Sequence, residues 1–547
     1  MWLLYTLLVF LPFGYAAQQQ PLRSDIHTGP KRVAVIGAGA GGSFAAYELR
    51  KLAEANGTPL NITVFERNPY IGGRSTTVDV FDDPAYPIEL GASIFVQVNH
   101  NLVNASRDLG LEVRSADYAR PRETAESIGI WDGEEFVFTL KNSYSWWNIA
   151  RLFWRYGMAP LRTQNLMKTI VGRFLRLYEE PLFPFHSLSE AAVALDLINA
   201  TSSPGENFLQ RNQISDLFAR EIIQASTRVN YGQNLPLIHG LESMVCMATD
   251  GAVSIDGGNW RIFDGALKSS GAEVRVNTTV TEITRNEGSV RITSKPSSDA
   301  DAVQPVDESE FDEVVIAGPL QYSGVSISPP LQHIPDEIPY VKLHVTLLAS
   351  PHKISAKFFG LGVNDHAPET ILTTLPKDLN LGANPKGVGP ADFWSISTLR
   401  SVDRTVLEDG TERQEKHYVY KIFSPERPTA EFIAQIFDLD YDNGTGSVVV
   451  PQGNTSIADL PKSEISWFHE KVWNPYPLLY PRVTFEETLL APGVWYTGGI
   501  ESFISTMETS ALMGRNVAAL MVQSWQKQEQ TKNEDTSPSS ASGRAEL

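Results

Sequence analysis

Apolar positions along this chain fall into three patterns, each predicting a different element. Continuous short runs, Val33-Ala34-Val35-Ile36 and Ile62–Phe65, predict strands buried on both faces of a parallel sheet. Between them, Ala45, Leu49 and Leu52 recur on one face at helical period. Farther on, Glu273-Val274-Arg275-Val276 and Ser289–Thr293 alternate apolar with polar and predict half-buried strands. Phe311–Ala317 predicts one more buried strand, returning to the first sheet. Near the C-terminus, Val494-Trp495-Tyr496-Thr497-Gly498-Gly499-Ile500-Glu501 predicts a strand and turn, followed by a helix with Ala511, Gly514, Ala518 and Met521 on one face. Ser294–Glu310 reads as a polar loop, and the charged, serine-rich stretch 527–547 as a disordered tail.

Composition narrows the class. The 547 residues are 42% hydrophobic and 20% charged, enough for a large core and unlike disordered or collagenous chains. A net charge of −19 would repel phosphate backbones, so no nucleic-acid partner is expected. The lone Cys246, between Met244 and Met247, excludes an intrachain disulfide and cysteine-rich metal sites and reads as packed interior. His239, His344 and His469 stand alone and are read as structural, and no Ser-His-Asp, Cys-His or H-E-x-x-H arrangement is evident. No metal site is therefore expected, and no oligomeric interface is legible.

The first residues point to a compartment. Met1–Ala17 is apolar, too short to span a bilayer, and ends at small residues before Gln18; it resembles a secretory signal peptide (1–17). Glycosylation triplets fit that route at Asn104, Asn199, Asn277, Asn443 and Asn454, whereas Asn56 and Asn61 sit in contexts that disfavour use. The expected destination is the secretory pathway, ending in a lysosome or vacuole or outside the cell.

The chemistry begins at Gly37-Ala38-Gly39-Ala40-Gly41-Gly42, a G-x-G-x-x-G match placed between a strand and a helix. Gly37, Gly39 and Gly42 permit a tight turn, close approach to a pyrophosphate and close helix packing, and the helix N-terminus favours phosphate. Glu66, at the end of the second strand, is spaced to accept ribose hydroxyls, and a carboxylate there disfavours a 2′-phosphate. A lone glycine motif is weak, but the full strand, helix and acid context makes dinucleotide binding the expectation.

The segment Glu66-Arg67-Asn68-Pro69-Tyr70-Ile71-Gly72-Gly73-Arg74 resembles the E-R-x(3-4)-G-G-R segment of large FAD oxidoreductases that include the amine oxidases. The resemblance implies FAD, with Arg67, Gly73 and Arg74 at its diphosphate. Arg74 would neutralise phosphate charge, with an ion pair as the alternative reading. It also implies that Gly91 and Ala92 pass the isoalloxazine, and that Gly498, Gly499 and the helix start at Met507 close the site from the far end. No lysine is assignable from sequence to the place amine oxidases often use near flavin N5. The implied fold is α/β: a discontinuous Rossmann-type FAD-binding domain (31–100, 241–320, 465–526) carrying an inserted α+β substrate domain (101–240, 321–464), amine-oxidase-like.

Arg228-Val229-Asn230-Tyr231-Gly232-Gln233, Ile255-Asp256-Gly257-Gly258-Asn259 and Trp154-Arg155-Tyr156-Gly157 resemble segments of the prenylcysteine oxidases, also called prenylcysteine lyases, over about Lys31 to Trp525. Against that family, Asp365–Glu415 reads as an insertion. The resemblance implies oxidation of farnesyl- or geranylgeranyl-cysteine from degraded prenylated proteins. Hydride leaves the prenyl carbon next to sulfur, water adds, and the hemithioacetal collapses to cysteine and a prenyl aldehyde; O2 becomes hydrogen peroxide. Asn230 and Tyr231 are expected to orient water or the cysteine moiety, and Arg228 to pair with its carboxylate; the other reading is a buried helix-end network. Gly257, Gly258 and Asn259 are read either as backbone contacts to the flavin or as a simple tight turn. The aromatic segment 144–156, with Trp146, Trp147, Phe153 and Trp154, reads first as core packing, with a tunnel wall or peripheral membrane contact as alternatives. Two other functions stay open at this point: a flavin oxidase acting on an amine or another thioether, and a catalytically silent flavin-binding secreted protein.

Overall fold

The computed structural model describes residues 29–116, 118–120, 126–141, 146–297, 306–362, 364–408, 411–439 and 455–536. The signal segment 1–17, Asn443, Asn454 and the last part of the tail (537–547) lie outside the described residues.

Strand Lys31–Ile36 lies between Leu60–Phe65 and Glu313–Ile316, with Val35 opposite Val64 and Val315. The six-stranded sheet continues through Val494–Tyr496 to Leu489–Ala491 on one side and ends at Glu273–Arg275 on the other; only the Leu489–Ala491 edge is antiparallel. Alternation within the central strand decides what covers each face. Val33 and Val35 pack with Leu49, Val517 and Met521 of the covering helices. Ala34 packs with Ile283 and Ile292 of a four-stranded sheet on the other side. Both faces are thus apolar, which is why these strands read as continuous runs.

Helix Ala40–Ala55 packs along the last helix, Met507–Thr536, at a separation set by glycine. A Cβ on Gly514 would stand 2.1 Å from the Gly41 carbonyl oxygen and 2.8 Å from Ala45 N, and one on Gly41 2.9 Å from Thr497 Oγ1. The last helix is further tied to the sheet by Glu313, whose carboxylate accepts the indole N–H groups of Trp495 and Trp525.

The second unit is a seven-stranded mixed sheet in the order Trp467–Trp473, Leu343–Ser350, Thr411–Ser424, Ser395–Glu408, Thr370–Thr373, Glu126–Trp131, Phe136–Lys141. A helical layer from Trp146 to Val245, with a core including Phe174, Leu209, Leu241 and Met244, completes it.

Several expectations change. The 365–415 stretch is no peripheral insertion; it supplies strands at the middle of the seven-stranded sheet. Trp467–Trp473 pairs with Leu343–Ser350, so the chain returns to the dinucleotide sheet only at Leu489, not at 465. Ser326–Ser328 pairs with Thr278–Asn286 and keeps that segment with the dinucleotide unit, whereas helix Gly240–Val245 belongs to the helical core. Phe311–Ala317 is two strands, Asp307–Phe311 and Glu313–Ile316, in different sheets. The two ends of Ser294–Glu310 are strand as well, because Ser289–Pro296 pairs antiparallel with Asp307–Phe311. The final helix runs to Thr536, past the expected boundary at 527; good helix formers there prolong a helix already nucleated by packing. Trp154 is 93% exposed, so core packing fails for it, while Tyr156 is buried with its hydroxyl on Glu221.

Gly514→Ala is expected to destabilise the protein by about 1–3 kcal/mol, because rigid backbone must move to admit the methyl group. Gly172→Ala, a helical site with nothing within 4 Å of its Cβ, is expected to be neutral or stabilising. Thermal unfolding midpoints of the two variants check this; equal midpoints would refute the role of the helix contact.

Candidate active site

The glycine loop, the last helix and the seven-stranded sheet enclose one continuous cavity of about 970 Å³. Its first compartment is built where strand Lys31–Ile36 ends. Gly37 has φ +106°, and a Cβ there would meet the Ala317 oxygen at 2.7 Å, so only glycine makes this turn. Gly39 is the N-cap of the following helix and carries no capping side chain, which leaves first-turn N–H groups for an anion. Gly39, Ala40, Gly41, Gly72 and Gly73 all face the cavity. Gly42 does not; its missing side chain lets the helix cross the Gly37 carbonyl, 1.9 Å from an added Cβ.

Glu66 is buried and lines this compartment. It accepts hydrogen bonds from Ala38 N at 2.9 Å and from Asn68 N and Nδ2 at 2.8 and 2.7 Å. A carboxylate offers about four lone-pair sites, so one remains for a ligand hydroxyl. Arg67 lies at the exposed rim with Nη1 on the Tyr322 carbonyl. Arg74 faces the cavity, but the ion-pair reading holds. Its Nη2 and Nη1 meet Glu501 at 2.5 and 2.9 Å, and Tyr340 donates to the same carboxylate. Its charge is therefore met by protein.

Gly498 and Gly499 do not line the cavity. They allow close packing on Tyr496 and Glu486, while neighbouring Thr497 and Glu501 reach the wall. Met507 lines it, and its sulfur accepts from Ser75 Oγ at 2.8 Å. One residue on, Glu508 takes four hydrogen bonds from Asn101 N, Asn101 Nδ2, Leu102 N and Tyr178 Oη, yet burial still pushes it up to about 7.

The second compartment is walled by the long hairpin and the helical layer. Gly91 and Ala92 line it; a Cβ on Gly91 would meet Arg74 O at 2.7 Å and the Trp473 ring at 2.9 Å. Gly257 and Gly258 also line the cavity with positive φ, and the buried Asn259 ties them to Glu89 Oε1 at 2.6 Å and Ala92 O at 3.0 Å. Asn230 and Tyr231 both face inward. Asn230 Nδ2 donates to Ser226 O at 2.9 Å, and Tyr231 Oη to Ser505 O at 3.0 Å.

Arg228 does not face the cavity. It is fully buried elsewhere, with Nε on Thr373 Oγ1, Nη1 on Asn234 and Nη2 on Val388 O, and its guanidinium lies 4.8 Å from the Trp394 ring. Its partners Thr373, Asn234 and Val388 hold it away from the cavity, where it works as a fold-tying network. Cys246 is buried, and its thiol is pushed up by that burial.

Sequence reasoning missed Lys421. Its Nζ donates to Glu89 O at 2.7 Å and Ser93 Oγ at 3.0 Å, at the cavity wall. Burial pushes the Lys421 ammonium down and the Glu89 carboxyl up. The available signal was a lysine between Val419 and Phe423 on one face of the otherwise apolar stretch Tyr418–Phe423. Asn104, Asn199 and Asn277 are all exposed.

Glu242 is buried beside Tyr231, with Oε1 unpartnered, and burial raises it to about 7 from 4.5. Raised folded-state values stabilise the protein below the unfolded value, and that stability is lost as pH climbs through about 7. Glu242→Gln should therefore reduce the loss of unfolding free energy between about pH 5 and 8, by about 1–3 kcal/mol. Urea unfolding at the two pH values reads this, and an unchanged difference would count against it.

Comparison with known proteins now bears on the site. A family model described as prenylcysteine lyase matches residues 139–535, and one described as NAD(P)-binding Rossmann-like domain matches 35–109. The chain is 28% identical to human prenylcysteine oxidase 1 over 523 residues, covering 92% of this chain and 91% of that protein. Against Arabidopsis thaliana farnesylcysteine lyase it is 26% identical over 522 residues, with the same coverage. Among solved structures, a putrescine oxidase variant covers 90% of this chain and 99% of its own at TM-score 0.53 and 15% identity. Cyclohexylamine oxidase from Brevibacterium oxydans covers 91% and 100% at TM-score 0.52 and 16% identity. These last two show an amine-oxidase-type fold and nothing finer. With the family model matching well over half of its length, the chain belongs to the prenylcysteine lyase family.

Proposed function

We propose that this protein is an FAD-dependent thioether oxidase that cleaves farnesyl- or geranylgeranyl-cysteine to cysteine, a prenyl aldehyde and hydrogen peroxide. The observation that carries this reading is the continuous cavity that runs from the glycine cradle to an apolar wall including Phe174, Leu175 and Val245, in a chain of this family.

The residues fit FAD. The uncapped helix at Gly39 would take the diphosphate, and Gly39 and Gly73 come close enough that a Cβ on Gly73 would stand 3.3 Å from Gly39 Cα. Glu66 has a lone-pair site left for a ribose hydroxyl. The start of the helix at Met507 directs its positive dipole end toward the cavity. Bound there, FAD supplies a two-electron acceptor for the hydride leaving the prenyl carbon, and it is reoxidised by O2.

The protein's own share is positional. Val171, Phe174, Leu175 and Val245 form a dry wall suited to a prenyl chain. Two Lys421 Nζ contacts go to Glu89 O and Ser93 Oγ, and its third position can hold the water that adds to the oxidised carbon. With its charge disfavoured by burial, that amine can also take the proton released as water adds. Tyr231, Asn230 and Tyr476 also line the cavity.

The apolar leader 1–17 and the exposed acceptors at Asn104, Asn199 and Asn277 support passage through the secretory pathway to a lysosome, vacuole or the exterior. Exposed Trp154, Met158 and Leu161 support peripheral contact with a lipid surface carrying prenyl substrates.

The purified protein is expected to show a flavin absorption band that farnesylcysteine bleaches without oxygen, and to release peroxide in air. Gly39→Val is expected to lose the flavin. A band that farnesylcysteine leaves untouched would end the thioether-oxidase reading, and a flavin-free protein would end the cofactor reading.

A further inference from the structure

Arg400 enters the cavity through an irregularity of its strand. Along Ser395–Glu408, the residues Ser395, Ser397 and Leu399 line the cavity at every second position. Strict alternation would point Arg400 to the opposite face. Instead the pairing with Thr411–Ser424 slips between Thr398, opposite Tyr420, and Arg400, opposite Val419. One extra residue is accommodated, and Arg400 lines the cavity next to Leu399. Bulges that re-aim a side chain in this way are common beside binding sites.

The re-aimed guanidinium is unengaged. Among the described residues it has no ion pair or hydrogen bond, and its buried Nε lacks a partner; its neighbour is the Tyr86 ring at 4.8 Å. The other cavity-lining arginines are all held: Arg74 by Glu501, Arg67 by Tyr322 O and Arg120 by Thr370 Oγ1. A buried guanidinium N–H without an acceptor is costly, and planar N–H pairs match a carboxylate. Lys421, on the paired strand, lines the same wall but is already committed to Glu89 O and Ser93 Oγ.

We infer that Arg400 binds the carboxylate of the ligand, so that this cavity selects amphiphiles carrying an apolar chain and a free acid terminus. For the reaction proposed above, on which this inference builds, that terminus is the α-carboxylate of the prenylcysteine. An ester or a continued peptide at that position would leave the guanidinium unpaired.

The test compares binding of laurate and its neutral counterpart lauramide to the flavin-loaded protein and to Arg400→Met, by calorimetry. Laurate should bind the unaltered protein about 10- to 100-fold more tightly than lauramide, the range of a hydrogen bond to a charged group. Arg400→Met should erase that preference, and Arg400→Lys should restore part of it. Equal affinity for acid and amide in the unaltered protein, or an acid preference that survives in Arg400→Met, would overturn the assignment. The unfolding midpoint of Arg400→Met should fall little, because the Tyr86 ring contact is lost but no hydrogen bond or ion pair among the described residues is, so a folding defect is separable from a binding one. Turnover of farnesylcysteine against its methyl ester then extends the test. With the thioether reaction present, Arg400→Met should raise KM for the acid alone and leave kcat largely unchanged. With the reaction absent, the functional reading fails while the binding result still decides the role of Arg400.

Discussion

The backbone contact between Gly41 and Gly514 is the constraint on which the architecture rests. Two helices from opposite ends of the chain approach until a single methyl group would collide with a carbonyl oxygen. That closeness seats the last helix against the first βαβ unit and carries Thr506, Met507 and Glu508 to the cavity wall beside the glycine loop. Arg74 and Glu501, 427 positions apart, clasp the same two segments from the other side. Glu501 is buried while Arg74 is half-exposed to the cavity, and two hydrogen bonds from Arg74 and one from the Tyr340 hydroxyl compensate the buried carboxylate. The dinucleotide unit can therefore be discontinuous in sequence and still present one continuous rim.

The cavity shows how charge is handled once water is removed. Most ionisable groups around it are satisfied by protein: Arg74 by Glu501, Glu508 by four donors, and the Lys421 amine by Glu89 O and Ser93 Oγ. Burial biases Glu508 and Glu89 toward the neutral acid and Lys421 toward the neutral amine, so the wall carries less charge than its composition suggests. Arg400 stands apart, since its buried Nε has no acceptor among the described residues. A largely apolar chamber with a buried, unpartnered guanidinium N–H favours a ligand that is itself apolar with one anionic end.

Legibility followed the range of the interactions involved. Gly37, Gly39 and Glu66 act within a strand, a turn and a helix start, and their roles are dictated by conformational freedom, an uncapped helix end and strand length. Gly73 and Gly91 were legible because they stand in segments with a recognisable pattern. Gly498 and Gly499 stand in such a segment too, yet they serve packing against Tyr496 and Glu486, a distinction that no spacing carries. Arg228, three residues before Tyr231, was misassigned because the rotation of its helix against the sheet decides which side meets the cavity.

By itself, the amino-acid sequence determined the α/β class, the dinucleotide loop, the acid at the second strand end and the family, since each is written in contiguous residues whose local conformations are narrow. Tertiary structure alone decided that 365–415 forms the middle of a sheet, that Trp467–Trp473 belongs to that sheet, that Lys421 meets Glu89 and Ser93, and that Arg400 turns inward. Those outcomes depend on strand register, where a slip of one residue exchanges the two faces, and on contacts between segments hundreds of positions apart. Local propensity carries no record of either.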